Sequence, residues 1–139
     1  HACDIATDLA LGTAIRAQAK YIACVPCCHK ELLDQYHIPG LEPLTKFGVF
    51  KARFNDVLTD SMRALKLEAE GYKVSVVEYI SPLDTPKNLL IRATRTNREN
   101  PKAKAEYDSV RALLGTTSEL DRRCEANNAD FFITDEDLI

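Results

Sequence analysis

A short apolar run that ends in proline, two thiols and an imidazole constrains the fold of this chain more than any other stretch. Residues 21–25 read YIACV, without alternation, which is typical of a strand covered on both faces. Pro26 cannot donate to a strand ladder, so pairing should stop there. Cys27, Cys28 and His29 follow at once. Because open α/β sheets bind ligands beyond the carboxyl ends of their strands, we expect a site here.

Length and composition are those of one soluble globular domain. The chain has 139 residues, 45% of them hydrophobic and 28% charged. Its net charge of -3 gives no strong signal for nucleic acid, and no apolar stretch is long enough for a membrane span. The odd count of five cysteines, with Cys27 beside Cys28, does not suit a secreted disulfide framework. Free thiols in a cytoplasmic protein are the better interpretation.

The start of the chain favours the carboxyl-terminal part of a larger domain. Thr7 and Asp8 are good helix caps, and an alanine-rich helix should run from them to near Lys20. A strand follows directly, which is the second half of a βαβ unit whose first strand would precede His1. The chain begins without Met and contains no GxGxxG loop.

Further along, the pattern predicts one long helix and an antiparallel pair of strands. The helix should span about residues 47–70, with one apolar stripe at spacings of three and four. This stripe consists of Phe50, Phe54, Val57, Leu58, Met62, Leu65 and Ala69. Residues 72–80 read as an edge strand and 88–95 as another strand. Their connection is too short for a parallel crossover, so they should be antiparallel neighbours.

From residue 97 the chain becomes polar and helical. Pro101 can start a helix whose narrow apolar face would end at Gly115. That face consists of Tyr107, Val110, Leu113 and Leu114. Thr116 and Glu119 have the spacing of a capping box for a last helix. An acidic tail over residues 130–139 should be peripheral. We therefore expect two parts, with a helical and acidic extension over residues 97–139.

Three blocks of sequence carry a family resemblance. They are HACDIATD at residues 1–8, VPCC at 25–28 and TPKNLLIRA at 85–93, and TDSMR at 59–63 adds a fourth. Together they resemble class I S-adenosylmethionine-dependent methyltransferases, in the bacterial branch of the methyltransferase-like-25 type. The resemblance covers roughly residues 1–95.

This resemblance implies an α/β fold, the carboxyl-terminal half of a Rossmann-like methyltransferase sheet over residues 1–96. Parallel strands with one antiparallel strand are the expected arrangement. The cofactor would be S-adenosylmethionine, but its glycine-rich loop and the acidic residue for its ribose would lie before His1. The chain alone is therefore expected to bind the cofactor poorly and to be inactive.

The three blocks should converge at one edge of that sheet, where the strands end. The resemblance places His1 and Asp4 near the transferring methyl group, where a carboxylate or an imidazole can take a proton from the acceptor. Asp4 capping the following helix is an equal alternative. Contacts to the acceptor are expected from Cys3, Pro26, Cys27, Cys28, Lys87 and Asn88. For Lys87 and Asn88, a purely structural hairpin connection is the alternative.

Other polar features have plainer interpretations. Cys3, Cys27, Cys28 and His29 invite a zinc hypothesis, but adjacent cysteines rarely bind one ion, and packing against a pocket wall is favoured over a metal site. An Asp60–Arg63 pair would be a solvated helix face. A basic run could contact RNA phosphates, although a solvated surface is favoured. This run consists of Arg92, Arg95, Arg98, Lys102 and Lys104.

The acceptor itself is not specified by the sequence and could be RNA, protein or a small molecule. Two other functions remain open at this point. One is a methyltransferase-like binding module without catalysis, and the other is a protein with a zinc or thiol site.

Overall fold

The protein is a mixed α/β structure. The computed structural model describes residues 4–126, so His1, Cys3 and the acidic tail over residues 130–139 lie outside the described part. The elements are α1 (Ile5–Arg16), β1 (Tyr21–Cys24), α2 (Glu42–Thr45), α3 (Gly48–Ala69), β2 (Tyr72–Glu78), β3 (Leu89–Arg95), α4 (Pro101–Leu114) and α5 (Glu119–Glu125). No helix among these is both long and apolar enough to cross a lipid bilayer.

The three strands form one sheet in the order β1–β3–β2. β3 is antiparallel to both neighbours, with Ile91 opposite Cys24 on β1 and opposite Val76 on β2. The predicted antiparallel pairing of β2 with β3 is confirmed, and β2 is an edge strand of this sheet. β1 and β2 share a direction because each is antiparallel to β3. Parallel pairing, which the resemblance implied, is not shown within residues 4–126.

Only one face of the sheet is covered in the described part. Ile22 is buried, but Tyr21 beside it is 67% exposed, so the prediction that β1 is covered on both faces is wrong. The covered face packs on α1, α3 and α5 in a core of Leu11, Ile15, Ile22, Leu67, Tyr72, Ile91, Ala93 and Leu120. On the other face Arg92 and Thr94 are exposed, because no helix within residues 4–126 packs there.

α1 begins at Ile5, before the predicted caps Thr7 and Asp8, and ends at Arg16 instead of near Lys20. Thr7 and Asp8 are buried inside the helix instead of capping it, because Asp8 is paired in the protein interior. Asp4 holds the N-cap position at φ 48°, but its side chain makes no capping hydrogen bond. At Gly12 an added side chain would collide with Arg123, so this glycine lets α5 approach α1 closely.

The predicted long helix is confirmed as α3, but its apolar stripe has a part that packs against α4 and a part that is exposed. Around Met62, the stripe packs against α4 at Tyr107 and Leu114. Phe50 and Val57, nearer the start of α3, are 59% and 61% exposed. The stripe prediction is wrong for these two residues because α4 covers only the later part of α3.

The predicted start and end of α4 are confirmed, whereas the predicted capping box of α5 is wrong. Asn100 caps α4 by accepting from the Ala103 amide, and Gly115 ends it at φ 63°. Leu113, which was assigned to the apolar face, is 60% exposed. The capping box of α5 is Ser118 with Asp121, instead of Thr116 with Glu119. Asp121 occupies this position partly because its carboxylate also accepts from the Tyr107 hydroxyl at 2.5 Å.

Candidate functional site

The loops that follow β1 and β2 meet at one edge of the sheet. Because the two strands share a direction, both loops leave from the same side. Lys87 Nζ lies 3.0 Å from His29 Nδ1, although the two residues are 58 positions apart. Pro26, Pro82 and Pro86 line the same cleft, which has a volume of about 420 Å³. The structure thus brings together the two loops that the sequence placed at this edge.

The block before α1 is tied to the loop after β1. Asp4 Oδ1 accepts hydrogen bonds from the backbone amides of Lys30 at 3.0 Å and Glu31 at 3.2 Å. The Arg63 guanidinium donates to the Asp4 carbonyl oxygen at 3.0 Å. These bonds hold Asp4 at a positive φ that costs a non-glycine residue free energy. The capping interpretation of Asp4 is wrong, and its carboxylate fastens the start of α1 to the loop.

His29 occupies the centre of the site. Its side chain is 1% exposed, and Nε2 donates to Asp60 Oδ1 at 2.8 Å. Nδ1 lies 3.1 Å from Asp56 Oδ1 and 3.0 Å from Lys87 Nζ. A neutral ring accepts from the Lys87 ammonium, and a protonated ring donates to Asp56. Both ring nitrogens of His29 therefore lie within hydrogen-bonding distance of charged side chains.

One face of α3 supplies most of the partners of this histidine. Residues at relative positions 0, 1, 4, 5 and 8 share a helix face. On α3 these residues are Asn55, Asp56, Thr59, Asp60 and Arg63. The Asn55 amide donates to the His29 carbonyl oxygen, and Asp56 pairs with Lys87. Asp56 and Lys87 are each 30% exposed and line the cleft, so this ion pair is accessible from it.

The ion pairs continue from the site into the interior. Arg63 bridges Asp60 at 3.1 Å and Asp8 at 2.6 Å. Glu31 then bonds to Arg122 at 2.6 Å and accepts from the Glu119 amide at 2.7 Å. The Asp8 and Glu31 carboxylates lie close enough for each to influence the pKa of the other. We call this chain of side chains the charged row: Lys87, Asp56, His29, Asp60, Arg63, Asp8, Glu31 and Arg122.

Burial perturbs the two acids at the inner end of the charged row. Loss of hydration raises the pKa of Asp8 above its ordinary value, although the Arg63 guanidinium opposes this change. Burial, with the nearby Asp8 carboxylate as the next cause, raises the pKa of Glu31 to about 7.

The charged row corrects one prediction and adds residues that the sequence did not indicate. Asp60 and Arg63 are 7% and 2% exposed, so the solvated-face interpretation of this pair is wrong. Asp8, Glu31 and Asp56 were not recognised as site residues. For Asp56 a weak signal exists, namely polar residues recurring at helical spacing on α3, whereas no sequence pattern indicates Asp8 or Glu31.

The cysteines near the site remain free thiols. Cys27 Sγ and Cys28 Sγ lie 3.6 Å apart and share a hydrogen bond, and neither forms a disulfide. Burial raises the pKa of Cys24 to about 11 and that of Cys124 to about 12, so both stay protonated at neutral pH. Within residues 4–126, no group of three His, Cys, Asp or Glu side chains is arranged to hold a metal ion.

The other residues predicted to contact an acceptor fall into two groups. Pro26 and Lys87 line the cleft, whereas Cys27 and Cys28 do not. Asn88 is 3% exposed and donates to the Ile80 carbonyl oxygen at 2.9 Å, which fixes the connection between β2 and β3. This hydrogen bond is the structural role that was the alternative for Asn88.

The described glycines do not build a cofactor cradle. Such a cradle needs backbone that a ligand can approach closely in a glycine-rich loop. Gly12 is filled by Arg123, Gly71 faces the Arg98 carbonyl oxygen, and no neighbouring atoms crowd Gly40. The glycines described within residues 4–126 therefore do not form a glycine-rich loop of the kind that holds the nucleoside end of S-adenosylmethionine.

Comparison with known proteins points to a methyltransferase over part of the chain. No curated protein and no solved structure matches it significantly. A family model described as a methyltransferase domain matches residues 1–35. This segment contains α1, β1 and the loop that carries His29, while α3 and the strands β2 and β3 lie beyond it. Residues 1–35 are thus similar to the part of a methyltransferase domain that supplies two of the three converging blocks.

Proposed function

We propose that this chain forms the acceptor side of a methyltransferase that uses S-adenosylmethionine. The contact between His29 and Lys87 carries the proposal, because it joins the loops after two co-directional strands at one edge of the sheet. The similarity of residues 1–35 to a methyltransferase domain supports the same reaction class. The acceptor remains open among RNA, protein and small molecules.

In this proposal the chain's own residues position the acceptor and receive its proton. S-adenosylmethionine would supply an electrophilic methyl group and would be held by residues outside the described part. Asp56 borders the cleft and is the group best placed to take a proton from a bound nucleophile. His29 orients Asp56 from behind, and Asp60 fixes the other ring nitrogen. Direct catalytic roles for His1 and Asp4 stay predictions.

Calorimetry tests the cofactor part of the proposal. S-adenosylmethionine is titrated into this chain and into a protein extended by the residues that naturally precede position 1. We expect the extended protein to bind and the shorter chain to bind far more weakly, because its described glycines form no cradle. A folded extended protein that fails to bind the cofactor would contradict the proposal.

Two matched aspartates test the acceptor part. Asp56 and Asp34 each pair with a lysine, but the Asp34 side chain is 86% exposed on the surface. In the extended protein, Asp56→Asn is expected to lower the transfer of labelled methyl groups by about 100-fold or more, the usual worth of a general base. Asp34→Asn should leave transfer unchanged. Equal activities of the two variants would show that Asp56 takes no part.

A binding module without catalysis is the second candidate. It predicts a folded extended protein that binds its partner but neither S-adenosylmethionine nor its demethylated product, and the calorimetry above separates the two candidates.

A further inference from the structure

An apolar groove opens on the protein surface between α2 and the beginning of α3. Its volume is about 400 Å³, within the range of small-molecule sites. Its lining, which defines the apolar groove, consists of Leu41, Leu44, Thr45, Phe50, Arg53, Phe54 and Val57. Leu44 and Phe50 are 64% and 59% exposed, so these side chains present apolar surface to water.

The floor of the apolar groove is held in place from below. The Phe54 ring packs edge-on against Tyr36 with ring centroids 6.3 Å apart. The Tyr36 hydroxyl donates to the Lys51 carbonyl oxygen at 3.2 Å, which attaches the segment before α2 to α3. A ligand would therefore meet a largely preformed surface.

The apolar groove and the cleft beside His29 are neighbours. Arg53 and Val57 line both of them. A molecule lying in the groove would thus extend toward Asp56 and Lys87, an ion pair that lines the cleft.

Arg53 stands at this junction without an ion pair or hydrogen bond to any of residues 4–126, whereas the cations around it are paired. Lys51 bonds to Asp34 at 2.6 Å, and Lys87 pairs with Asp56, which also lines the cleft. An exposed guanidinium beside apolar walls is suited to an anionic group attached to an apolar body.

We propose that the apolar groove and Arg53 bind an apolar organic anion, in which an aromatic or aliphatic body carries a carboxylate or phosphate group. Burial of the body between Leu44, Phe50 and Val57 supplies the affinity, and Arg53 pairs with the anion. A nucleic acid fits less well, because it needs several cations along its phosphates and this groove has one. That the bound molecule is the methyl acceptor rests on the proposed function, but its binding does not.

The fluorescent probe 8-anilinonaphthalene-1-sulfonate, an aromatic anion, tests the proposal on this 139-residue chain. We expect saturable binding of one probe molecule with a blue-shifted emission. Arg53→Gln should weaken binding by about tenfold, the worth of one charge-assisted hydrogen bond, and Arg53→Lys should recover part of it. Phe50→Ser should weaken binding through lost apolar contact. Lys102→Gln removes an exposed cation on α4 and should change nothing.

Displacement of the probe identifies the charge that the site prefers. Decanoate and decyl phosphate should compete, and their relative strength tells carboxylate from phosphate, while decyltrimethylammonium should not compete. Equal competition by the cationic amphiphile, or equal probe affinity of Arg53→Gln and Lys102→Gln, would overturn the proposal. Near-ultraviolet circular dichroism identifies any variant that binds the probe only because it is unfolded.

The two proposals fail separately. Probe binding that depends on Arg53, in a protein whose extended form ignores S-adenosylmethionine, would leave the groove as a site and remove the methyltransferase. Cofactor binding without Arg53-dependent probe binding would do the opposite.

Discussion

Two groups of charges look alike in the sequence and differ completely in the structure. Asp60 and Arg63 of the charged row lie on a helix, and the basic run of Arg92, Arg95, Arg98, Lys102 and Lys104 extends from β3 into α4. Both were interpreted as solvated. Arg63 is 2% exposed and bonded to two carboxylates. Lys102 is 86% exposed, and its Nζ lies 3.7 Å from the carboxylate of Glu106.

The difference shows that the burial of an ion pair, more than its charge, determines how much the pair contributes to the free energy of unfolding. Removal of one partner from a buried pair leaves an uncompensated charge in a poorly hydrated place, which costs about 3–5 kcal/mol. An exposed pair contributes about 0–1 kcal/mol, because water and salt replace the partner. Variants in the two groups can therefore be ranked before any measurement.

Arg63→Met should have the largest effect. It removes the partner of Asp8 and Asp60 while keeping an apolar stem of similar length, so the free energy of unfolding should fall by about 3–5 kcal/mol. Urea denaturation measures the loss. Adding Asp8→Asn should recover part of it, because one of the unpaired charges is then gone. A loss below about 1 kcal/mol would place Arg63 with the exposed pairs.

Asp60→Asn comes next. Asparagine keeps the shape but loses the charge that His29 and Arg63 share, so we expect a loss of about 2–3 kcal/mol. Asp34→Asn is the matched control, because its partner Lys51 is also held at short distance but at the surface. The control should cost less than about 0.5 kcal/mol in the same denaturation experiment. Equal losses would abolish the distinction between the two groups.

The titration of Glu31 should change the stability of the protein less than these substitutions do. Its pKa is raised from 4.5 to about 7, so the folded protein binds a proton that the unfolded chain releases between these values. Stability is therefore greatest below pH 4.5 for this group and is lost as the pH rises through about 7. Because Arg122 beside it is 50% exposed and brings solvent close, we expect a fall of only about 1–2 kcal/mol between about pH 5 and pH 8.

Glu31→Gln is the control for this pH dependence. Glutamine can still accept from the Glu119 amide and from Arg122, but it does not titrate in this range. Denaturation curves of the variant across the same pH range should be flatter than those of the natural chain. An unchanged slope would assign the pH dependence to another group.

Lys102→Gln should have the smallest effect. Its pair with Glu106 spans one helical turn at 3.7 Å on an exposed face, so removal should change the unfolding free energy by less than about 0.5 kcal/mol. A shift in the thermal midpoint of more than about 4 °C would show that the basic run contributes to stability.

Parts of the fold that depend on local sequence were predicted well. The long helix, the helix start at Pro101 and the stop at Gly115 all follow from periodicity and from residues with special backbone preferences. Choices between nearby polar residues were predicted poorly. Ser118 and Asp121 form the capping box that was assigned to Thr116 and Glu119, because Asp121 also bonds Tyr107 on α4.

For the candidate site, the position was predicted well and the roles of individual residues were predicted poorly. The order of the blocks and the short connection between β2 and β3 were enough to bring the loops with Pro26 and Lys87 to one edge. The roles within the site were less predictable. Asn88 is structural, and Asp56, which was not recognised as a site residue, lines the cleft.

The sequence by itself determined the longer helices, the strands and the reversal between the last two strands, because each depends on side-chain periodicity and on breakers within a few residues. Only the tertiary structure decided which polar groups are buried. Asp8 meets Arg63 across 55 positions, and His29 meets Lys87 across 58. A local pattern carries no information about such distant partners. Burial of a charge is stable only when those partners are present, so packing decided that His29, Asp60 and Arg63 form an interior site while similar charges elsewhere remain in water.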